Sequence, residues 1–365
     1  MSYTSRFFNY FPPPKFLAMP ASGVSVSDRS LRYIELEPKK KEFIVRRYGE
    51  ITIPEGTIVS GRIKNPDALK KVFQELKDTY NIQFVRLALH EQLGYVMRLN
   101  IPQIKKSELR NNIELQLEEN VPIPPKEAIF DYEEIKCEII EHTHETHVGV
   151  FVMPRAFVEA YVLLLHDAGI TPLSFEVEAC ALRRALLSPH DCGTYMIADI
   201  GATRTGLSIM SAGIIRFTWT IPVGGDLLTR AVANAFGISF EEAQKKKEKE
   251  GFKPNRGGQK GQNMAALLSL QTKLLKEEIK RREIFWRTHV AERGEKDDIK
   301  KVILCGGEAN VPSLSDYLAA GLGIPVVIGN PWLNVTSFDD YIPEISRNQA
   351  LRYTTAIGMA LSFPG

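Results

Sequence analysis

The sequence predicts a two-lobed α/β fold, with a small α+β module inserted in the first lobe, and three observations carry that prediction. The first is an internal echo. MIADIGATRTGLSIM and IIRFTWTIPVGG resemble GVSVSDRSLRYIEL and EFIVRRYGEITIP about 175 residues earlier, a separation far beyond the roughly 20–50-residue period of a solenoid. The second is length. The chain has 365 residues, and chains beyond about 250–300 residues divide into more than one core. The third is a change of texture at residues 94–136, read as part of a module inserted over residues 85–172.

Residues 1–21 form an aromatic tail broken by Pro12, Pro13, Pro14 and Pro20, so they lack the continuous apolar core of a signal peptide. The first lobe takes residues 22–84 and 173–194. There GVSVSDRSLRYIELE and EFIVRRYGEITI alternate as short antiparallel strands. DALKKVFQELK places Leu69, Val72, Phe73 and Leu76 on one helical face, and QFVRLAL is a further strand. In the module GYVMRLNIP is a strand, Ser107 is expected to cap a helix through ELRNNIELQLEEN, and VPIPP stops it. FDYEEIK and THVGVFVMP complete a sheet, and a long apolar-faced helix follows from Arg155 to Ala168. GITPLSFEVEACALRRALL then reads as strand and helix.

The second lobe takes residues 195–225 and 300–365, with a helical region over 226–299 between them. In its long helix, Leu267, Leu270, Leu274, Ile279 and Phe285 are expected on one face. KPNRGGQKGQN reads as a polar glycine-rich loop, and KKKEKE as a solvated helix face. KKVILCGGEANVPSLSDYLAAGLGIPVVIG is strand, glycine turn, helix and strand, and TTAIGMAL is a final helix of small residues.

Several classes of function are excluded. Forty-six basic residues against 44 acidic give a net charge of +2, which offers no general attraction to nucleic acid. No stretch approaches the roughly 18 apolar residues of a membrane span. Cys137, Cys180, Cys192 and Cys305 are scattered without a CxxC pair and read as reduced thiols of a cytosolic protein. His142, His144 and His147 read as a solvated hairpin tip, because no Cys or acidic cluster completes a metal shell beside them. There is no Walker A loop and no Ser/His/Asp signature.

Chemistry concentrates in glycine turns. In DIGATRT, a strand ends at Asp199 and turns through Gly201, Ala202, Thr203 and Thr205. That turn is either a plain hairpin or a nest of backbone N–H groups for phosphate, with Asp199 placed to hold Mg2+ through water. Gly224 and Gly225 in VGGD, and Gly306 and Gly307 in CGGEANVP, each join a strand to a helix, where backbone approaches a ligand closely and helix N-termini favour anions. Three such turns and two facing lobes point to a nucleotide cleft.

DIGATRTGLSIM, IPVGGDLLTRAV, VILCGGEANVPSLSDYL and TTAIGMAL, in this order, resemble the second phosphate loop, glycine pair, adenosine turn and last connecting helix of actin-like ATPases. The inserted module resembles that of the type IV pilus assembly protein PilM family, and the resemblance as a whole runs from about residue 22 to 363. The resemblance implies duplicated actin-like (ribonuclease H-like) domains, ATP and Mg2+ in the cleft, and a cytoplasmic place at the inner face of the cell membrane. It also implies a partner: the N-terminal peptide of a PilN-like inner-membrane protein, lying in a groove beside the module, with nucleotide setting the angle between the lobes. Glu178 matches the hinge segment that orients attacking water in relatives. In the first phosphate loop, Ser25 and Ser27 stand where the family has Asp and Gly, and Asp28 follows where phosphate approaches. That loop is degenerate, so weak or absent hydrolysis is expected. The alternative is an FtsA-like filament ATPase, a family that continues past its last helix into a membrane-binding helix; here the sequence stops at SFPG.

Overall fold

The computed structural model describes residues 21–39, 42–135, 145–253, 263–292, 297–339 and 341–362. The aromatic tail, Cys137, His142, His144, Lys40, Lys41 and most of KPNRGGQKGQN lie outside the described residues.

The first sheet begins with β1 (Ser22–Val26), β2 (Ser30–Lys39) and β3 (Glu42–Thr52), an antiparallel meander in which β1 is buried on both faces and β3 alternates towards solvent. A short ribbon, β4 (Ile58–Val59) and β5 (Arg62–Ile63), leads to α1 (Pro66–Asp78). Asn65 caps α1 through its side chain, and Leu69, Val72, Phe73 and Leu76 are its buried face. β6 (Phe84–Leu89) then runs parallel to β1.

The module follows, as β7 (Tyr95–Pro102), α2 (Lys106–Asn120), β8 (Ala128–Glu134) and β9 (Glu145–Pro154). Its sheet order is β7-β9-β8. Val148, Val150 and Val152, at strand period, pack with Leu109, Ile113 and Leu117, at helix period, in a core of their own. Ser107 does not cap α2: the helix starts at Lys106 and its N-cap makes no side-chain bond. α3 (Arg155–Asp167) and β10 (Thr171–Val177) return the chain to the first lobe, where β10 pairs with β6. The separate sheet is therefore narrower than the 85–172 module read from sequence. β6 is bonded to β1, so its apolar run FVRLAL serves the first core.

After α4 (Glu178–Leu186) the pattern repeats with β11 (Tyr195–Ile200), β12 (Thr205–Ser211) and β13 (Ile214–Ile221). Three helices intervene: α5 (Gly225–Phe236), α6 (Phe240–Glu250) and α7 (Met264–Glu292). β14 (Lys301–Cys305), α8 (Leu314–Leu322) and β15 (Val326–Ile328) complete the second sheet. Its order, β13-β12-β11-β14-β15, reproduces that of the first, β3-β2-β1-β6-β10, with the same parallel and antiparallel pairings. The echo in the sequence is thus a duplicated fold. The chain then passes through a short α9 (Arg347–Ala350) to α10 (Thr354–Ala360).

Three sequence expectations change. The buried face of α7 is Met264, Leu268, Leu275, Ile279, Trp286 and Val290, whereas Leu270 and Leu274 face outward. An evenly apolar helix carries two adjacent stripes, and only packing decides between them. α10, counted in the second lobe, packs on β1 and α4 of the first. Cys192 is disulfide-bonded rather than a thiol, because separation along a chain says nothing about approach in space; Cys180 and Cys305 are free and buried. Among the described residues, no helix is long and apolar enough to cross a membrane.

Candidate functional site

A crevice of about 120 Å³ lies where the two lobes face each other, and it gathers most of the residues singled out from sequence. Ser25, Ser27 and Asp28 line one wall, Asp199, Gly201, Ala202 and Thr203 the other, with Gly306, Gly307 and Glu178 completing it. Gly306 has φ +85°, and a Cβ there would stand 2.4 Å from Asp199 Oδ1, so the glycine permits the close approach of the β14 turn to β11. Thr205 is not part of the wall. It is fully buried and donates to the Val223 carbonyl at 2.7 Å.

The first loop closes on itself. Ser27 Oγ donates to the Ser30 carbonyl at 3.0 Å and accepts from the N–H groups of Ser30 and Arg29 at 3.1 and 3.4 Å. Asp28 reaches across to the second loop, where Oδ2 accepts from Thr203 Oγ1 at 2.9 Å and Oδ1 lies 3.6 Å from Arg204 Nη1. Neither Arg29 nor Arg32 offsets Asp28 directly. Arg29 pairs with Asp226 at 2.9 Å and Glu55 at 3.2 Å, and Arg32 pairs with Glu50 at 2.8 Å.

In the second lobe the glycine pair is equally committed. The N–H groups of Gly225 and Asp226, at the start of α5, donate to the carbonyls of Gly201 and Ala202 at 2.9 and 2.8 Å. A Cβ on Gly224 would stand 2.4 Å from the Ala202 carbonyl oxygen. Gly225 carries the Glu308 side chain directly above it, 2.1 Å from where a Cβ would be. Glu308 Oε2 is held at 2.6 Å by Lys247 Nζ, which also donates to Thr229 Oγ1 at 2.9 Å. Lys247 is fully buried, so the KKKEKE segment is not a wholly solvated face. A signal for this was present: the Ser239–Glu242 capping box fixes the phase of α6, and Lys247 stands one turn after the buried Ala243.

Glu178 begins α4 and sits 2.9 Å from His90 Nδ1 and 4.0 Å from Arg204 Nη2. Burial pushes its carboxyl up, but His90 and Arg204 outweigh burial and hold it below the usual carboxylate range. Arg204 also donates to the His90 ring. His90, Arg204 and Lys247 escaped sequence reading, since each lies in an unremarkable polar context. His147 is a different case, read from sequence as part of a solvated hairpin tip. It is instead buried in β9 with Nδ1 at 2.8 Å from Asn100 Oδ1. No cluster of three or more His, Cys, Asp or Glu able to hold a metal occurs among the described residues.

Asp199 carries a testable consequence. Burial first, and then the charge of Glu178, push its carboxyl up to about 6 from 3.8. An acid whose folded value is raised is neutral in both states below about pH 4. Between about pH 4 and 6 the unfolded chain ionises first, so this group progressively weakens the fold as pH rises. Asp199→Asn is therefore expected to unfold at the same temperature as wild type at pH 4 and at a higher one at pH 7. Parallel pH profiles from thermal unfolding would contradict this.

A triphosphate requires loop N–H groups free to receive it and space to lie in. Here the loop hydroxyl, the α5 N–H groups and the ground above Gly225 are occupied by the protein itself, although the crevice opens onto a hollow of about 420 Å³ that shares Asp28, Arg29, Thr203 and Arg204 with it. The residues as arranged do not fit Mg-ATP.

Two ribonuclease H-like sheets of identical order, facing one another across this crevice, define an actin-like fold. The chain belongs to the type IV pilus assembly protein PilM family, whose model matches residues 23–363. Among solved structures, it is similar to a PilM–PilN type IV pilus biogenesis complex at TM-score 0.74 and 19% identity, covering 94% of this chain and 98% of that one. It is also similar to MreB5 of Spiroplasma citri bound to ADP (TM-score 0.51, 13% identity, 92% and 94% covered). A third is the ethanolamine utilization protein EutJ of Carboxydothermus hydrogenoformans (TM-score 0.50, 16% identity, 96% and 90% covered). At such identities these likenesses establish the fold.

Proposed function

We propose that this chain is a cytoplasmic component of type IV pilus assembly that captures the N-terminal peptide of a PilN-like inner-membrane protein beside the three-stranded module. The observation that carries the reading is the family match, which runs through the module as well as both lobes. Support comes from the similar structure described as a PilM–PilN complex. The module also offers a suitable edge: β8 is terminal in the order β7-β9-β8, and an extended peptide adds to such an edge through main-chain bonds while side-chain pockets select it. Membrane association then follows from the partner.

The test is fluorescence anisotropy with a labelled synthetic peptide copying the cytoplasmic N-terminal segment of a PilN-like protein. Saturable binding, lost when the peptide sequence is scrambled, is the expected result. Absence of binding, together with nucleotide-dependent pelleting of the chain into filaments, would transfer the assignment to the FtsA-like reading.

A further inference from the structure

We propose that the crevice between the lobes is self-closed: ion pairs and hydrogen bonds of the chain itself tie its two loops together, and it takes no magnesium nucleotide. This goes beyond the assembly reading and does not depend on it. Four contacts on different elements say the same thing. Asp28, from the β1–β2 turn, binds Thr203 at 2.9 Å and faces Arg204 at 3.6 Å, both in the β11–β12 turn. Arg29, beside it, reaches Asp226 at the start of α5 at 2.9 Å. Arg204 in turn contacts His90 and Glu178 of the first lobe. Glu308, held by Lys247, covers Gly225.

Each contact occupies what an incoming polyphosphate would need. The Asp28 carboxylate is the strongest obstacle. A triphosphate entering between the two turns would displace it from Thr203 and then lie against its charge, and like charges a few ångströms apart repel strongly where water is scarce. Charge is already balanced without a ligand: Asp28, Glu178, Asp199 and Glu308 line the crevice together with Arg29, Arg32, Arg204 and Arg352. Donors beside both turns are engaged within the chain as well, the Arg29 and Ser30 N–H groups on Ser27 Oγ and the Gly225 and Asp226 N–H groups of α5 on the Gly201 and Ala202 carbonyls. A ligand that binds only the folded state would have to break these contacts before making its own. The lobe angle is then set by the sequence, and partner capture is independent of nucleotide.

The experiment uses the full-length chain with Mg-ATP and Mg-ADP as probes, in calorimetric titration and thermal unfolding. The expected result is no saturable heat and an unfolding temperature unchanged within about 1 °C; a ligand at about 100 times its dissociation constant would raise it by several degrees. Saturable one-to-one binding of either nucleotide overturns the proposal. A second arm tests the ties themselves. The double variant Asp28→Asn with Arg29→Gln is expected to unfold at a lower temperature than wild type and to lose part of the decline in unfolding temperature with added salt, because screening weakens partly exposed ion pairs. An unchanged unfolding temperature and salt profile in that variant overturns the tie. Neither arm involves the partner peptide, so this proposal and the assembly reading fail separately.

Discussion

Glu308→Ala is expected to destabilise the fold by about 3–5 kcal/mol, the cost of leaving one member of a buried ion pair without its partner. Lys247 is fully buried, and its ammonium has only Thr229 Oγ1 at 2.9 Å and the Gly225 carbonyl at 3.3 Å once the carboxylate is gone. Two neutral acceptors do not replace a charge held at 2.6 Å from a fully buried ammonium. The converse variant, Lys247→Met, is expected to cost less, because Glu308 keeps 12% of its side-chain surface and reaches the crevice. The double variant Lys247→Met with Glu308→Leu distinguishes pairing from packing. Replacing a buried pair by apolar groups of similar size is often neutral, so it should recover most of the loss. Urea unfolding measures all three. A loss below about 1 kcal/mol in Glu308→Ala would show that solvent reaches Lys247 and that the pair is a surface one.

Much of this architecture was legible before any coordinates. The strand runs of GVSVSDRSLRYIEL and their echo in MIADIGATRTGLSIM mark the central strands of the two sheets, which share one strand order. The position of the crevice was legible too, since Ser25, Asp199, Gly201 and Gly306 converge on it. What the crevice does with its donors was not. Ser27 belongs by resemblance to the first phosphate loop, yet its hydroxyl is consumed by the turn from Ser27 to Ser30. Gly224 and Gly225 were read as room for a ligand, yet the room is taken by Ala202 and Glu308. A glycine signals that something approaches closely; it does not say whether that something is a ligand or another part of the chain. Lys247 shows the same limit. A lysine among lysines reads as solvated, and only the phase of the helix set by the Ser239 cap turns this one inward. The edge between lobes was misjudged because α10 consists of small residues whose partner sheet is named nowhere in its own sequence.

That last helix supports the second large effect. Gly358→Ala is expected to destabilise the fold by about 2–3 kcal/mol, near the top of the range for overpacking a filled core. Local propensity predicts the opposite, because alanine in a helix is favoured over glycine by about 1 kcal/mol. Geometry decides between them. A Cβ on Gly358 would stand 1.9 Å from the Ala181 carbonyl oxygen and 2.5 Å from its carbon, both backbone atoms of α4. On the opposite side Gly23 of β1 presents the same demand: a Cβ there would lie 2.1 Å from the Ala356 carbonyl oxygen and 2.3 Å from the Ala360 nitrogen. α10 is therefore clamped between β1 and α4 and has no direction in which to retreat. Gly206→Ala is the control. That glycine lies in β12 with nothing within 4 Å of its would-be Cβ, so its substitution is expected to be neutral within about 0.5 kcal/mol. If Gly358→Ala proves as stable as wild type while Gly23→Ala does not, the helix sits against β1 alone. The end of the chain would then be joined to the first lobe through its sheet and not through α4.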